Sequence, residues 1–308
     1  MKVKHSVSTA SLALIFLLLA TPGSSRGDTV FVANSDGNAI EEFNSSGMGT
    51  VFATSGLNDP SGLAFDSAGH LYAANRLSNT IEKFNSAGVG VVFATSGLND
   101  PNGLAFDSAG ILYAANLGLL NPSSNRNTIE EFNSSGVETV FASSGLLGPA
   151  GLAFDSAGNL YAANYGTDTI EKFNSSGVGT VFASSGLLRP LGLAFDSAGN
   201  LYVANEDSNT IEKFNSSGVG TVFASSGLNH PVGLAFDSAG NLYAANWYNG
   251  TIEEFNSSGS GTVFASGLLA PTFIAISPDL IPEPSTWALL AMAIGTLLRG
   301  LRLRRGSS

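Results

Sequence analysis

The chain has 308 residues, 44% of them hydrophobic and 12% charged, and contains no cysteine. That length supports a sizeable core, and the absence of cysteine rules out disulfide staples, so packing alone must hold the fold. Residues 28–278 carry six basic and 22 acidic side chains, a net charge of −16, which repels phosphate backbones and anionic membrane surfaces and excludes nucleic acid as a partner.

In chain order, Met1–Gly27 comes first. It opens with Lys2 and Lys4, continues through the apolar run Leu12–Ala20 and ends in small residues before Asp28. This is the pattern of a secretory signal, with an apolar run too short to span a bilayer, and cleavage is expected between Ala20 and Asp28.

Behind it the octapeptide GLAFDSAG starts at Gly62, Gly103, Gly151, Gly192 and Gly233, in steps of 41, 48, 41 and 41 residues. A fixed period of this size marks a repeat architecture. The long step comes from seven extra residues between Tyr113 and Phe132, after which the pattern resumes.

One unit holds four short runs: Pro190–Asp196, Asn200–Asn205, Thr210–Asn215 and Gly220–Ser225. Each is rich in β-branched and aromatic residues and bounded by Gly, Asn, Ser or Pro, which predicts strands. FDSAGN and NSSG predict tight hairpins with glycine at a positive φ. Four antiparallel strands in about 41 residues make a propeller blade.

The second-strand run occurs six times, ending at Asn34, Asn75, Asn116, Asn164, Asn205 and Asn246, whereas GLAFD occurs five times. A degenerate sixth copy, PTFIAIS (271–277), comes last. The expected fold is therefore all-β: a six-bladed β-propeller spanning 28–278, its first blade closed by the C-terminal strand 271–277. The stretch GNLYVAN…NTIEKFNSSG resembles an NHL-type repeat, although Asn205 stands where the usual repeat has an acid. The resemblance implies the same six-bladed, terminally closed ring. Related propellers include streptogramin-lyase-like and lactonase-like enzymes as well as pure binding modules, so the fold does not decide function.

The tail 279–308 holds Pro282, Glu283 and Pro284, then an apolar run Trp287–Leu298, then Arg299, Arg302, Arg304 and Arg305. Basic residues behind an apolar run keep that end cytoplasmic. Motif, short hydrophobic helix and arginine cluster in this order closely resemble a PEP-CTERM sorting signal. The resemblance implies a Gram-negative bacterium, a transient inner-membrane anchor, cutting by an exosortase-type enzyme near Pro282–Pro284, and delivery to the cell surface or exopolysaccharide matrix. The alternative is a permanent membrane anchor.

Positions identical in every unit are expected to serve the scaffold. Asp66, Asp107, Asp155, Asp196 and Asp237 should close their turns, and the six asparagines should cap loops. Glu41, Glu82, Glu130, Glu171, Glu212 and Glu253 are expected to form a solvated acidic girdle. Differences gather in the loop entering the first strand and the loop after the second strand, which emerge on one face of a propeller. That face is the expected binding site. Its candidate residues are Tyr165, Trp247 and Tyr248 for stacking on sugar rings, and Arg76, Arg189, Glu206, Asp207 and His230 for polarity.

The positions before the inner glycines, Ser61, Asn102, Ala150, Leu191 and Val232 with Thr272 in the last copy, are neutral. They offer no carboxylate and imidazole cluster for a metal. Neither a nucleophile elbow nor a phosphate loop is present, and no catalytic residue, metal or cofactor is expected. Near-identical blades suit weak multivalent contact with a polymer. The leading expectation is a binding or structural module for exopolysaccharide or another surface protein. The alternatives are a metal-dependent lyase-like or lactonase-like enzyme with its site in the channel, and a protein-interaction platform built on the insertion Leu117–Arg126.

Overall fold

The computed structural model describes residues 28–118 and 127–277. The signal segment, residues 119–126 of the insertion and the tail with its Pro282–Pro284 motif lie outside the described residues. Among the described residues there is no helix long and apolar enough to cross a membrane.

The strands form six four-stranded antiparallel sheets, radiating as the blades of a propeller. Blade one is completed across the termini: Pro271–Ile276 pairs with Val30–Asn34, followed by Ala39–Phe43 and Gly49–Ala53. The first strands of blades two to six are Pro60–Phe65, Pro101–Phe106, Pro149–Phe154, Pro190–Phe195 and Pro231–Phe236, each followed outward by its three successors.

Two packing rules, repeated around the ring, hold the blades together. The first is aromatic. Tyr72 of blade two meets Phe93 of its own outer strand and Phe106 of blade three, both edge-on at 5.0 Å between centroids. Tyr113, Tyr161 and Tyr202 repeat this arrangement, and Phe31 takes the role in blade one. Edge-to-face pairs of this kind add to the burial of area.

The second rule operates at the axis, where a Cβ on Gly62 would run into the carbonyl oxygen of Asn102. Gly103, Gly151, Gly192 and Gly233 face the carbonyls of Ala150, Leu191, Val232 and Thr272 in the same way. Neighbouring inner strands thus run backbone against backbone, at a β-bulge that shifts the register between Pro60 and Leu63 and at the equivalent places. This is why the octapeptide begins with glycine.

The remainder of the octapeptide is turn chemistry. Asp66 Oδ1 accepts from the N–H of Ala68 at 3.0 Å and of His70 at 2.8 Å, and Gly69 has φ 81°. Asn75 Oδ1 accepts from the N–H of Asn58, while its amide nitrogen donates to the Gly56 carbonyl and to Thr80. Both residue types are therefore scaffold, as expected.

The glutamates are not a solvated girdle. Glu82, Glu130, Glu171, Glu212 and Glu253 are buried. Third-strand side chains at this register turn into the blade interface, and Glu82 lies against Gly56 of the preceding blade. Glu41 accepts from the Asn34 amide and Glu130 from the Thr128 hydroxyl. For Glu82, Glu171, Glu212 and Glu253, burial pushes the carboxyl above the ordinary carboxylate value.

The turn aspartates behave oppositely. Burial pushes Asp66, Asp155 and Asp196 up, but hydrogen bonds from the turn together with Lys83, Lys172 and Lys213 outweigh it and hold them below the usual range. Their stabilisation is present above the unfolded pKa and is lost as pH falls through the folded one.

Two predictions follow from this architecture. Gly62→Ala should lower unfolding free energy by about 3 kcal/mol, because backbone rather than a movable side chain blocks the new methyl. Ser61→Ala, one residue away, should be neutral or stabilising in the same denaturant titration, because the buried Ser61 Oγ has no partner to lose. The glutamates carry the second. A raised folded pKa means that the cost of their charge is present above that pKa and vanishes below the unfolded value. Glu171→Gln with Glu212→Gln should raise Tm at pH 8, and the gain should fade toward pH 4. A gain equal at both pH values would mean that charge is not its cause.

Candidate functional site

The residue before each first-strand proline sits in left-handed backbone: Asp59 (φ 54°), Asp100 (53°), Gly148 (61°), Arg189 (47°), His230 (51°) and Ala270 (55°). For a residue with a side chain this costs on the order of 1–2 kcal/mol, so the surroundings must impose it. They do so from two sides. The N–H of Asp59, Asp100, Gly148, Arg189 and His230 donates to the side-chain oxygen of Asn38, Asn79, Asn127, Asp168 and Asn209, each in the preceding blade. Their carbonyls accept from the first residue of the variable loop in their own blade: Arg76, Leu117, Tyr165, Glu206 and Trp247. Both variable loops of blades two to six are thereby clamped into one rim on one face, and in blade one the Ser35 N–H joins them through the Ala270 carbonyl.

Around this rim the predicted residues separate into two groups. Arg76 stands by itself between acids, its Nε 2.9 Å from Asp100 Oδ1 and its Nη1 3.5 Å from Asp59 Oδ2. The Asp100 side chain is wholly inaccessible, so Arg76 neutralises a buried charge.

The other seven are contiguous across blades four to six. The Arg189 guanidinium lies 5.2 Å over the Tyr165 ring and its Nε is 3.3 Å from Asp207 Oδ2. His230 Nδ1 is 3.9 Å from Glu206 Oε1, and the His230 ring is 5.6 Å from Tyr248 and 6.5 Å from Trp247. Tyr165 is half-buried with Arg189 over one face, so it supports the rim, whereas Trp247 and Tyr248 are exposed. Burial raises the Tyr165 phenol, and the Glu206 carboxylate adds to the shift.

The axis is filled. Ala150, Leu191 and Val232 form an apolar cluster with Leu117 and with Phe273, which replaces the inner glycine in the last copy; Tyr165 packs against it. Ser61, Asn102 and Thr272 complete the ring and are buried. Leu117, where the insertion begins, is part of this plug, and residues 119–126 of the insertion lie outside the described residues. Among the described residues, no three acidic or imidazole side chains converge as metal ligands. Five buried side-chain atoms have no hydrogen-bond partner there: Ser61 Oγ and Asn102 Oδ1 at the axis, and Asp100 Oδ2, Glu206 Oε2 and His230 Nδ1 on the rim. All five belong to this face, whose polar groups the fold itself leaves unsatisfied.

One part of the site escaped the sequence reading. A shallow cleft of about 280 Å³ opens between blades six and one, lined by Asp36, Trp247, Tyr248, Asn249 and Leu269 among others. Asp36 and Trp247 are far apart in sequence, and only ring closure brings them together.

No family model and no curated protein matches the chain. Solved structures do. A chain of a nidogen/laminin complex superposes with a TM-score of 0.72 at 22% identity, covering 82% of this chain and 99% of that one. Virginiamycin B lyase from Staphylococcus aureus gives 0.61 at 16%, covering 83% and 93%. A gluconolactonase from Xanthomonas campestris gives 0.60 at 19%, covering 70% and 78%. At these identities the likeness shows the six-bladed fold.

Removing the Arg76 charge should strand Asp100. Arg76→Met should cost about 3 kcal/mol in chemical unfolding, and adding Asp100→Asn should return much of it. An Arg76→Met protein as stable as the parent would show that the buried carboxylate needs no countercharge.

Proposed function

We propose that this protein is a recognition propeller of the cell surface or extracellular matrix, binding glycan chains through its variable rim. The observation that carries this reading is the segregation of difference. Blades that repeat GLAFDSAG letter for letter place their divergent residues on one face, and exposed aromatic side chains stand there beside polar groups that the fold leaves unpaired. Exposed aromatics ringed by polar groups mark a binding surface. The filled axis supports recognition over catalysis, because the place where a channel enzyme would gather its ligands holds Phe273, Leu191 and Val232. The signal segment, the Pro282–Pro284 motif and its exosortase-type processing supply the route to the surface in this reading.

Replacing residues 247–249 by the blade-five sequence EDS (206–208) tests it, with Gly250 kept because a Cβ there would run into the Leu268 carbonyl. The swap should abolish retention on immobilised matrix polysaccharide while leaving Tm within a few degrees of the parent. Retention that survives the swap would place recognition elsewhere or remove it. Changing Pro282, Glu283 and Pro284 to Ala should hold the protein in the membrane fraction of the producing cell, and unaltered release would contradict the sorting half.

A further inference from the structure

We infer that the cleft between blades six and one takes an amine-bearing sugar unit, so that the preferred polymer is a glycan with free primary amines rather than a neutral or acidic one. The inference rests on the glycan-binding reading above and narrows it.

Charge is the first argument. Among the described residues, the rim loops carry six carboxylates, Asp36, Asp59, Asp100, Asp168, Glu206 and Asp207, against two guanidinium groups. Both guanidinium groups are engaged: Arg76 holds Asp59 and Asp100, and Arg189 holds Asp207 while covering Tyr165. No strong cation is left free on the described rim for a uronate or sulfate. Asp168 is occupied too, accepting from the Arg189 N–H at 2.6 Å. Asp36 is different. Its carboxylate makes no hydrogen bond or ion pair among the described residues, and only its backbone N–H is used, donating to Leu269.

Aromatic side chains line the same cleft as that carboxylate. Trp247 and Tyr248, 40% and 71% exposed, line the same cleft as Asp36, and their indole N–H and phenol O–H have no partner among the described residues. Asn249 accepts from the Thr251 hydroxyl through its oxygen, which leaves its amide N–H groups for a ligand. Equivalent loops in the other blades read SDGN, RLSN, LGLLNPSSNRN, YGTD and EDSN, so the aromatic pair is particular to this cleft.

An aromatic plane accepts the C–H face of a pyranose, and the same plane attracts an ammonium group. A free carboxylate lining the same cleft completes the selection for –NH3+ over –OH or –COO⁻. The volume suits one sugar ring, so affinity would build along a polymer by repeated engagement.

Calorimetric titration of the purified protein with three hexasaccharides tests this: β-1,4-glucosamine, its N-acetylated form and an oligo-uronate. The glucosamine hexamer should bind about tenfold more tightly than the N-acetylated one, the scale of an exposed ion pair combined with a cation–π contact. The uronate should not bind. Asp36→Asn should remove the ion-pair share of that preference, leaving about a threefold one from the cation–π contact, and leave N-acetyl binding unchanged. Trp247→Ala should weaken both, and Tyr248→Ala, a more exposed site, gives the same readout where the tryptophan variant misfolds. Equal binding of the glucosamine and N-acetylated hexamers, or an Asp36→Asn protein that keeps the full preference, overturns this inference and leaves glycan recognition standing. Tighter binding of the uronate overturns it as well. Binding of none of the three removes the glycan reading itself.

Discussion

The fold depends on a single close approach. Five inner strands present a glycine to the carbonyl of the neighbouring inner strand, leaving no room for even a methyl group. That contact sets the radius of the ring and makes the axis a packed core rather than a channel. In blade one, where the glycine is replaced, the ring uses Phe273 as a plug and ties Thr272 Oγ1 to the Pro60 carbonyl at 3.2 Å. With the axis consumed by packing, only the loops above it remain free to vary, and chemistry is displaced to the rim.

The rim has its own constraint. Left-handed backbone before the first-strand proline of blades two to six is held by a side-chain oxygen of the preceding blade and by an N–H of its own blade. The scaffold asparagines and the single Asp168 thus link neighbouring blades and free the side chains at Asp59, Asp100, Arg189 and His230 to differ. In blades two and three that freedom produces a closed ion cluster around Arg76. In blades four to six it produces a mixed aromatic and charged surface. One backbone device thus yields a closed ion cluster in one sector and an open, mixed surface in the other.

Much of this was legible in the residues. The period, four strands per unit, closure by residues 271–277, the turn role of Asp66 and the capping role of Asn75 each follow from local chemistry repeated often enough to average out exceptions. The glutamates misled because strand alternation alone does not tell an outward side chain from one facing the next blade. Glu82 is polar by sequence and buried by the ring. Arg76 and Tyr165 looked like ligand contacts but have protein partners from adjacent blades, contacts that no single repeat encodes. Asp36 was invisible as a site residue for the same reason, since its neighbours arrive only when the last blade meets the first.

Where a ligand is felt distinguishes the rim from the axis. An NMR titration with the glucosamine hexamer, following backbone amides and the two indole N–H signals, maps this directly. Perturbation confined to residues 36–38, 206–207, 230, 247–250 and 268–270, with Ser61, Asn102 and the hairpins at Asp66 and Asp107 unmoved, is the predicted result. Shifts centred on the axial residues or on the hairpin face would contradict a plugged axis and a recognition rim.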